Sequence, residues 1–278
     1  MPAVSLPNRA LIVVSGEDAE DFLQGVITTD VAAIPLGETW PGALLTPQGK
    51  ILYDFLIGRQ AEGFVIETAA DNADALTRKL TLYRLRAKVV FQRLAVAEVT
   101  AVWDEPSNGL VDKRFAIAGL SLTRMAGAHG AAAHDAYHGL RMAHGVTGGG
   151  EDGALGDFFP HDLLMDKNSG LSFKKGCYVG QEVVSRMQHR ATARRRVVSV
   201  QGAAPLGASG DALTAGGREI GTLISVTGAH GLAVARIDKA GAALASGERI
   251  RIGEADVAIA LPVWTGLEWP SDADDAQS

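Results

Sequence analysis

After Arg196 the chain breaks into five short apolar runs, Val197 to Gln201, Ile220 to Val226, Leu232 to Ile237, Arg249 to Ile252 and Val257 to Leu261, parted by glycine-rich turns. Runs of this length suit strands, and several of them spaced by turn residues close most simply as a small all-β barrel. Before Arg196 the pattern is different. Strand-length runs there alternate with stretches in which apolar residues recur at helical spacing. The most hydrophobic runs, Ala10 to Val14 and Lys50 to Ile57, are far short of the ~20 residues a helix needs to cross a bilayer. No direct membrane contact is expected.

In the N-terminal part, Ala10 to Val14 reads as a buried strand, and Ser15 with Asp18 three residues on predicts the start of a helix whose Ala19, Phe22, Leu23 and Val26 form one apolar face. Trp40 to Leu45 and Lys50 to Arg59 flank the turn Thr46-Pro47-Gln48-Gly49 as two strands, and Phe64 to Ala69 is a third. A second helix opens near Asp71 and Asp74, with Leu76, Leu80 and Tyr83 on one face. Lys88 to Arg93 and Ala95 to Trp103 return to strand-like runs. The fold class is therefore α+β. His134 to His144 is helical in pattern, and Thr147 to Asp157, with five glycines and three acids, predicts a flexible surface loop. A further helix runs from about Gly180 to His189, and Gly266 to Ser278 reads as a frayed tail. The predicted division is an α+β region over 1–192, a barrel over 193–265 and a tail over 266–278.

The 278 residues carry a net charge of -6, which argues against a general nucleic-acid binder. Against that acidic background, Lys174, Lys175, Arg186, Arg190, Arg194, Arg195 and Arg196 face a single acid, Glu182, over the same stretch. Such a local positive field suits an anionic small ligand or an acidic partner. Cys177 is the only cysteine, so no internal disulfide is possible; with no signal-peptide pattern at the N-terminus, the expected location is cytoplasmic. Two lysines immediately before Cys177 and a helix soon after it are the surroundings that favour a thiolate. The plain alternative is a small buried hydrophobe. A lone thiolate cannot hold an iron-sulfur cluster, which ordinarily takes four protein ligands. His134 and His138 stand four apart, but the metalloprotease Glu and a third ligand are missing, so no metal site is assigned.

Lys175-Gly176-Cys177-Tyr178-Val179-Gly180-Gln181-Glu182 resembles the K-G-C-Y-x-G-Q-E block of the YgfZ family of folate-binding, iron-sulfur-related proteins, within the superfamily of the glycine-cleavage T-protein, an aminomethyltransferase (GcvT-like). Similar stretches are Phe22-Leu23-Gln24-Gly25, Leu45 to Lys50 with Asp54, Leu82 to Lys88, and Gly221 to Ile237. The resemblance implies a three-part ring: two interleaved α+β modules, the inserted one at about 40–120, plus the C-terminal barrel, around a pocket for tetrahydrofolate or a derivative. It implies a role in assembly or repair of iron-sulfur clusters, with iron-sulfur assembly proteins and client enzymes as partners, tRNA-modifying enzymes among them.

By the same resemblance, Cys177 is the chemical group. Lys175, Gly176, Tyr178, Gln181, Glu182 and Arg186 of the signature are candidates for the folate site. So are Tyr53, Asp54 and Asp162, the last in the region of a Pro-x-Glu of the T-protein, and Arg84, which suits a polyglutamate tail. For Glu182 with Arg186, and for Arg84, ordinary surface roles compete: an i,i+4 pair and a complement to a helix C-terminus. Where aminomethyltransferases carry paired aspartates the chain has Tyr53-Asp54, and where they carry Arg-x-Glu it has Arg141-Met142-Ala143. Loss of those carboxylates removes charge stabilisation beside the folate N5 and ranks one-carbon transfer second.

Overall fold

The computed structural model describes residues 3–95, 98–105, 107–148, 151–152, 156–189 and 193–270. In chain order its first part contains β1 (Ala3–Leu6), β2 (Arg9–Ser15), α1 (Ala19–Val26), β3 (Glu38–Leu45), β4 (Ile51–Gln60), β5 (Gly63–Ala69), α2 (Ala70–Arg84) and β6 (Val90–Arg93). There follow β7 (Val99–Trp103), β8 (Leu110–Asp112), α3 (Lys113–Ile117), β9 (Leu122–Ala126), α4 (His134–Ala143) and α5 (Gln181–His189). The last part is β10 (Arg195–Gly202), β11 (Ala212–Ala215), β12 (Arg218–Thr227), β13 (His230–Arg236), α6 (Ile237–Ala245), β14 (Ile250–Ile252) and β15 (Ala255–Ala260). Among the described residues no helix is long and apolar enough to cross a membrane.

Strands β1 to β9 form one nine-stranded sheet in the order β1-β7-β9-β8-β3-β4-β5-β2-β6. It has two wings, joined where β3 and β8 run parallel. One wing is β3 to β5 with β2 and β6; the other is β7 to β9 with β1 at its edge. The chain thus starts in the second wing and crosses at once to the first.

Alternation decides what each wing buries. Ala10, Ile12 and Val14 of β2, Phe55 and Ile57 of β4, and Phe64 and Ile66 of β5 share a core with Phe22, Leu23 and Val26 of α1 and Ala73, Leu76 and Leu80 of α2. These are the helical faces anticipated from sequence. The start of α1 differs: its first residue is Ala19, and Asp18 makes no side-chain cap. Instead, the Asp18 carboxylate accepts the Lys88 backbone N–H at 2.7 Å, tying the loop after α2 to the head of α1.

The C-terminal third is a closed barrel of six strands, β10-β13-β12-β11-β14-β15. Five of these coincide with the apolar runs after Arg196; the sixth, β11, Ala212–Ala215, lacks the apolar content to stand out. Helix α6 packs Ala240 and Ala243 into the barrel core. The expectation of a frayed tail from Gly266 onward does not hold over residues 267–270. Leu267 and Trp269 pack on the hydrophobic cores, with Trp269 and Pro270 lying over Gly241 of α6. Residues 271–278 lie outside the described residues.

Candidate functional site

The signature segment is held from below. Thr28, just past α1, donates its hydroxyl to Gly170 O at 2.7 Å and accepts from Ala43 N of β3 at 2.9 Å, while Ser172 N donates to Thr28 O at 3.0 Å. Lys175 then turns inward. Its ammonium donates to Ile27 O at 2.6 Å, Thr29 O at 2.8 Å and Gln24 Oε1 at 3.3 Å, and lies 5.1 Å from the Tyr178 ring centroid. Burial pushes its pKa down to about 8 against the pull of Asp30. Tyr178 is 6% exposed and belongs to the core that joins β3, α5 and the barrel.

The far end is locked by glycine. Gly180 has φ +79°, and a Cβ there would stand 2.5 Å from Thr46 O in the β3–β4 turn. Of the two glycines flanking Cys177, only this one is needed for close approach, since a Cβ at Gly176 would meet open space. Gln181 closes the turn through Oε1, which accepts from Tyr178 N at 3.2 Å.

Between these anchors Cys177 is exposed. The buried-hydrophobe alternative is therefore set aside. The expected arrangement around the sulfur is only partly present: the Lys175 ammonium serves backbone carbonyls beneath the loop, and the first residue of α5 is four positions beyond Cys177. A rigid platform with a reachable thiol is what the segment offers.

The other candidate residues occupy separate places. Glu182 and Arg186 pair at 2.8 Å on the solvent face of α5, with side chains 86% and 56% exposed. Arg84 donates to Val89 O at 3.0 Å and so braces the loop after α2. Tyr53 and Asp54 are neighbours on β4 and point to opposite faces; Tyr53 packs against the α1–α2 core while Asp54 is buried on the other side. The cavity at Asp54, lined also by Pro41, Phe55, Thr147, Leu163 and Asn168, measures about 10 Å³. That is room for one water. No signature residue lines it.

Asp162 is 1% exposed; its Oδ2 accepts from Phe159 N at 3.1 Å and lies 3.7 Å from Arg195 Nε. Burial raises its pKa to about 6, against Arg195 and the Phe159 N–H. A folded pKa above the unfolded value stabilises the protein fully below about pH 4, and that stability is lost as pH rises through about 6. About two units correspond to about 3 kcal/mol. The Asp162→Asn variant is expected to gain stability over the native chain across pH 4 to 6 and hold the gain above it, read as the difference between their urea midpoints. A pH-independent difference would contradict this.

The largest departure from expectation lies within the segment read as a surface loop, of which Gly156 and Asp157 are exposed as read and residues 149–150 and 153–155 lie outside the described residues. Thr147, Gly148 and Asp152 are buried, and Glu151 has a side chain 6% exposed. They complete an ion cluster between the two wings. Arg114 of α3 forks onto Asp112 at 3.0 and 2.7 Å and donates to Thr147 O at 3.1 Å and Gly148 O at 2.7 Å. Arg124 of β9 pairs with Glu67 of β5, which also binds Arg9 of β2 at 2.8 Å. Arg141 of α4 binds Asp152 at 3.1 Å. Glu151 accepts from the Tyr137 hydroxyl at 2.8 Å and lies 3.5 to 3.7 Å from Arg141, Arg114 and Arg124. Burial alone would raise the Glu151 pKa, but these arginines overcome it and hold the carboxyl well below the usual range. The available sequence signal was charge at strand positions that otherwise alternate apolar, such as Glu67 and Arg124.

Residues 194–267, the barrel, match the family described as CAF17, C-terminal beta-barrel domain. The iron-sulfur cluster assembly factor IBA57 homolog, mitochondrial, of Pyricularia oryzae is 31% identical over 84% of this chain and 71% of its own length. The human iron-sulfur cluster assembly factor IBA57, mitochondrial, is 29% identical over 96% and 85%. Coverage of other such relatives falls to 54% of their length. A crystal structure of glycine cleavage system aminomethyltransferase T from Bartonella henselae superposes with a TM-score of 0.68 at 17% identity, covering 97% of this chain and 87% of that one. The GcvT-like fold is thereby established, and within it the relatives are IBA57 proteins. Their names place them in mitochondria, which overturns the cytoplasmic location expected from sequence. The chain belongs to the IBA57 family of iron-sulfur cluster assembly factors.

Proposed function

We propose that the chain takes part in iron-sulfur cluster assembly on client enzymes, with Cys177 lending one thiolate to a cluster in transit. The observation that carries this reading is the exposed Cys177 on a loop anchored on both sides, by Lys175 in the carbonyls after α1 and by Gly180 against the β3–β4 turn. One sulfur supplies one of about four ligands. The remainder come from an assembly protein or a client, those that modify tRNA included, so the cluster is cargo shared across an interface. In the exchange the thiol proton leaves to solvent, an Fe–S bond to Cys177 forms, and one bond from iron to a donor ligand breaks.

Tetrahydrofolate is the ligand that the fold and the YgfZ-like signature suggest. A pterin does not fit the cavity of about 10 Å³ at Asp54, and no step is derived through it. Aminomethyl transfer is disfavoured for the same reason, and because β4 turns Tyr53 away from Asp54. The test is complementation. In cells lacking the gene, activities of several iron-sulfur enzymes should be restored by the native chain and not by Cys177→Ser. Full restoration by Cys177→Ser would overturn the role of the thiol; normal activities without the gene would overturn the function.

A further inference from the structure

The second half of α2 and the loop after it carry charge of one sign. From Ala75 to Ala97 the chain has six cations, Arg78, Lys79, Arg84, Arg86, Lys88 and Arg93, and no acid, in a protein whose net charge is -6. Three of the six are engaged: Lys88 pairs with Glu17 at 2.6 Å, Arg93 with Asp74 at 2.8 Å, and Arg84 braces the loop through Val89 O. Asp18 also meets the loop, at the Lys88 backbone N–H. Asp71 and Asp74 sit nearer the start of α2, about 12 Å or more along its axis from Leu82. Arg78 and Arg86 are exposed and have no ion-pair partner among the described residues, and the Lys79 ammonium lies 5.6 Å from the Tyr83 ring centroid.

Two leucines project from the middle of this charge. Ala73, Leu76 and Leu80 of α2 face the core, so at about 3.6 residues per turn Arg78, Leu82 and Leu85 stand on the opposite side. Leu82 is 72% exposed and Leu85 88%, and Val90, at the start of edge strand β6, is 57% exposed. Leu85 ends the helix at φ +47° and ψ -105°, a conformation open to glycine and costly for a residue with a Cβ. The backbone thus bears strain for a side chain that the folded chain leaves in solvent.

Exposed leucines among cations have two natural counterparts, an acidic protein and an anionic lipid surface. The geometry favours lipid. Protein interfaces are anchored by aromatic side chains seated in matching pockets, and the aromatic of this turn, Tyr83, packs instead on the core shared by α1 and α2. Leu82 and Leu85 project, as side chains that enter the boundary between headgroups and acyl chains do, and Arg78 and Arg86 supply charge for anionic headgroups. We infer that the C-terminal end of α2 docks on an anionic membrane surface, inserting Leu82 and Leu85 and pairing Arg78 and Arg86 with lipid phosphates. Such docking needs no span. It replaces the expectation of no direct membrane contact, which followed from the length of the apolar runs alone. None of these residues belongs to the Cys177 platform.

The test is co-sedimentation of the full chain with vesicles of phosphatidylcholine alone and of phosphatidylcholine mixed with phosphatidylglycerol, at low and at physiological salt. Partitioning onto the mixed vesicles is expected to exceed that onto the neutral ones by about tenfold or more, and to fall as salt rises. Leu85→Gly removes a projecting side chain and relieves its backbone, so its thermal unfolding should stay at or above the native temperature while partitioning falls about fivefold or more. Leu82→Gln should weaken partitioning likewise, and Arg78→Gln with Arg86→Gln should abolish the preference for mixed vesicles. Fold retention is read from circular dichroism; if one leucine variant does not fold, the other and the vesicle comparison decide. Equal partitioning onto both vesicles, none onto either, or undiminished partitioning of folded leucine variants would each overturn the inference. So would binding to poly-L-glutamate that rivals the mixed vesicles and ignores the leucines, the result expected of an acidic protein partner.

Discussion

Arg114→Met is expected to lower the stability of the folded chain by about 3–5 kcal/mol, the usual cost of removing one partner from a buried ion pair. The side chain is 1% exposed and Asp112 is 0% exposed. Without the guanidinium, Asp112 keeps the backbone N–H of residue 114, at 3.1 Å, and Arg124, at 3.7 Å, and the carbonyls of Thr147 and Gly148 lose their donor. Methionine fills much of the volume, so the loss isolates the charge and hydrogen bonds from cavity formation. The measurement is the urea midpoint at unchanged slope. A loss under about 1 kcal/mol would mean that the cluster contributes little beyond its own desolvation cost.

Cys177→Ser should do the opposite: abolish support of iron-sulfur enzymes while shifting stability within about 0.5 kcal/mol, the range of surface substitutions. The thiol is exposed, so serine neither opens a cavity nor buries a new polar group. Lys175→Met separates platform from sulfur. It leaves the carbonyls of Ile27 and Thr29 without their donor and is expected to cost about 1–3 kcal/mol, with a partial loss of function. Equal loss of stability in both variants, by thermal unfolding, would show that Cys177 is structural after all.

Much of the fold was legible because its signals are local. The i, i+3, i+4 pattern of Ala19, Phe22, Leu23 and Val26, and the turn at Thr46-Pro47-Gln48-Gly49, state their own geometry, and both occur as read. The signature marked the position of the exposed Cys177 loop for the same reason. What escaped was non-local. Nothing near Lys175 in sequence says that its ammonium finds carbonyls at Ile27 and Thr29, some 146 to 148 positions away. Glycines and acids over 147–157 read as a solvated loop, because the arginines that draw Glu151 and Asp152 inward lie on α3, β9 and α4. Tyr53 and Asp54 are adjacent in the chain and therefore looked like one site; the two-residue period of β4 separates them.

Closure of the C-terminal barrel bears on how copies of this protein meet in concentrated solution. A ring of strands in which β10 also pairs with β15 presents no unsatisfied ladder, so that third of the chain offers nothing for backbone zippering. Open margins remain only at the two ends of the nine-stranded sheet, β1 and β6, among the described residues. Strand β6 is short and ends in Arg93, which is paired with Asp74, and a charged terminus of this kind discourages runaway association at the margin where Val90 is exposed.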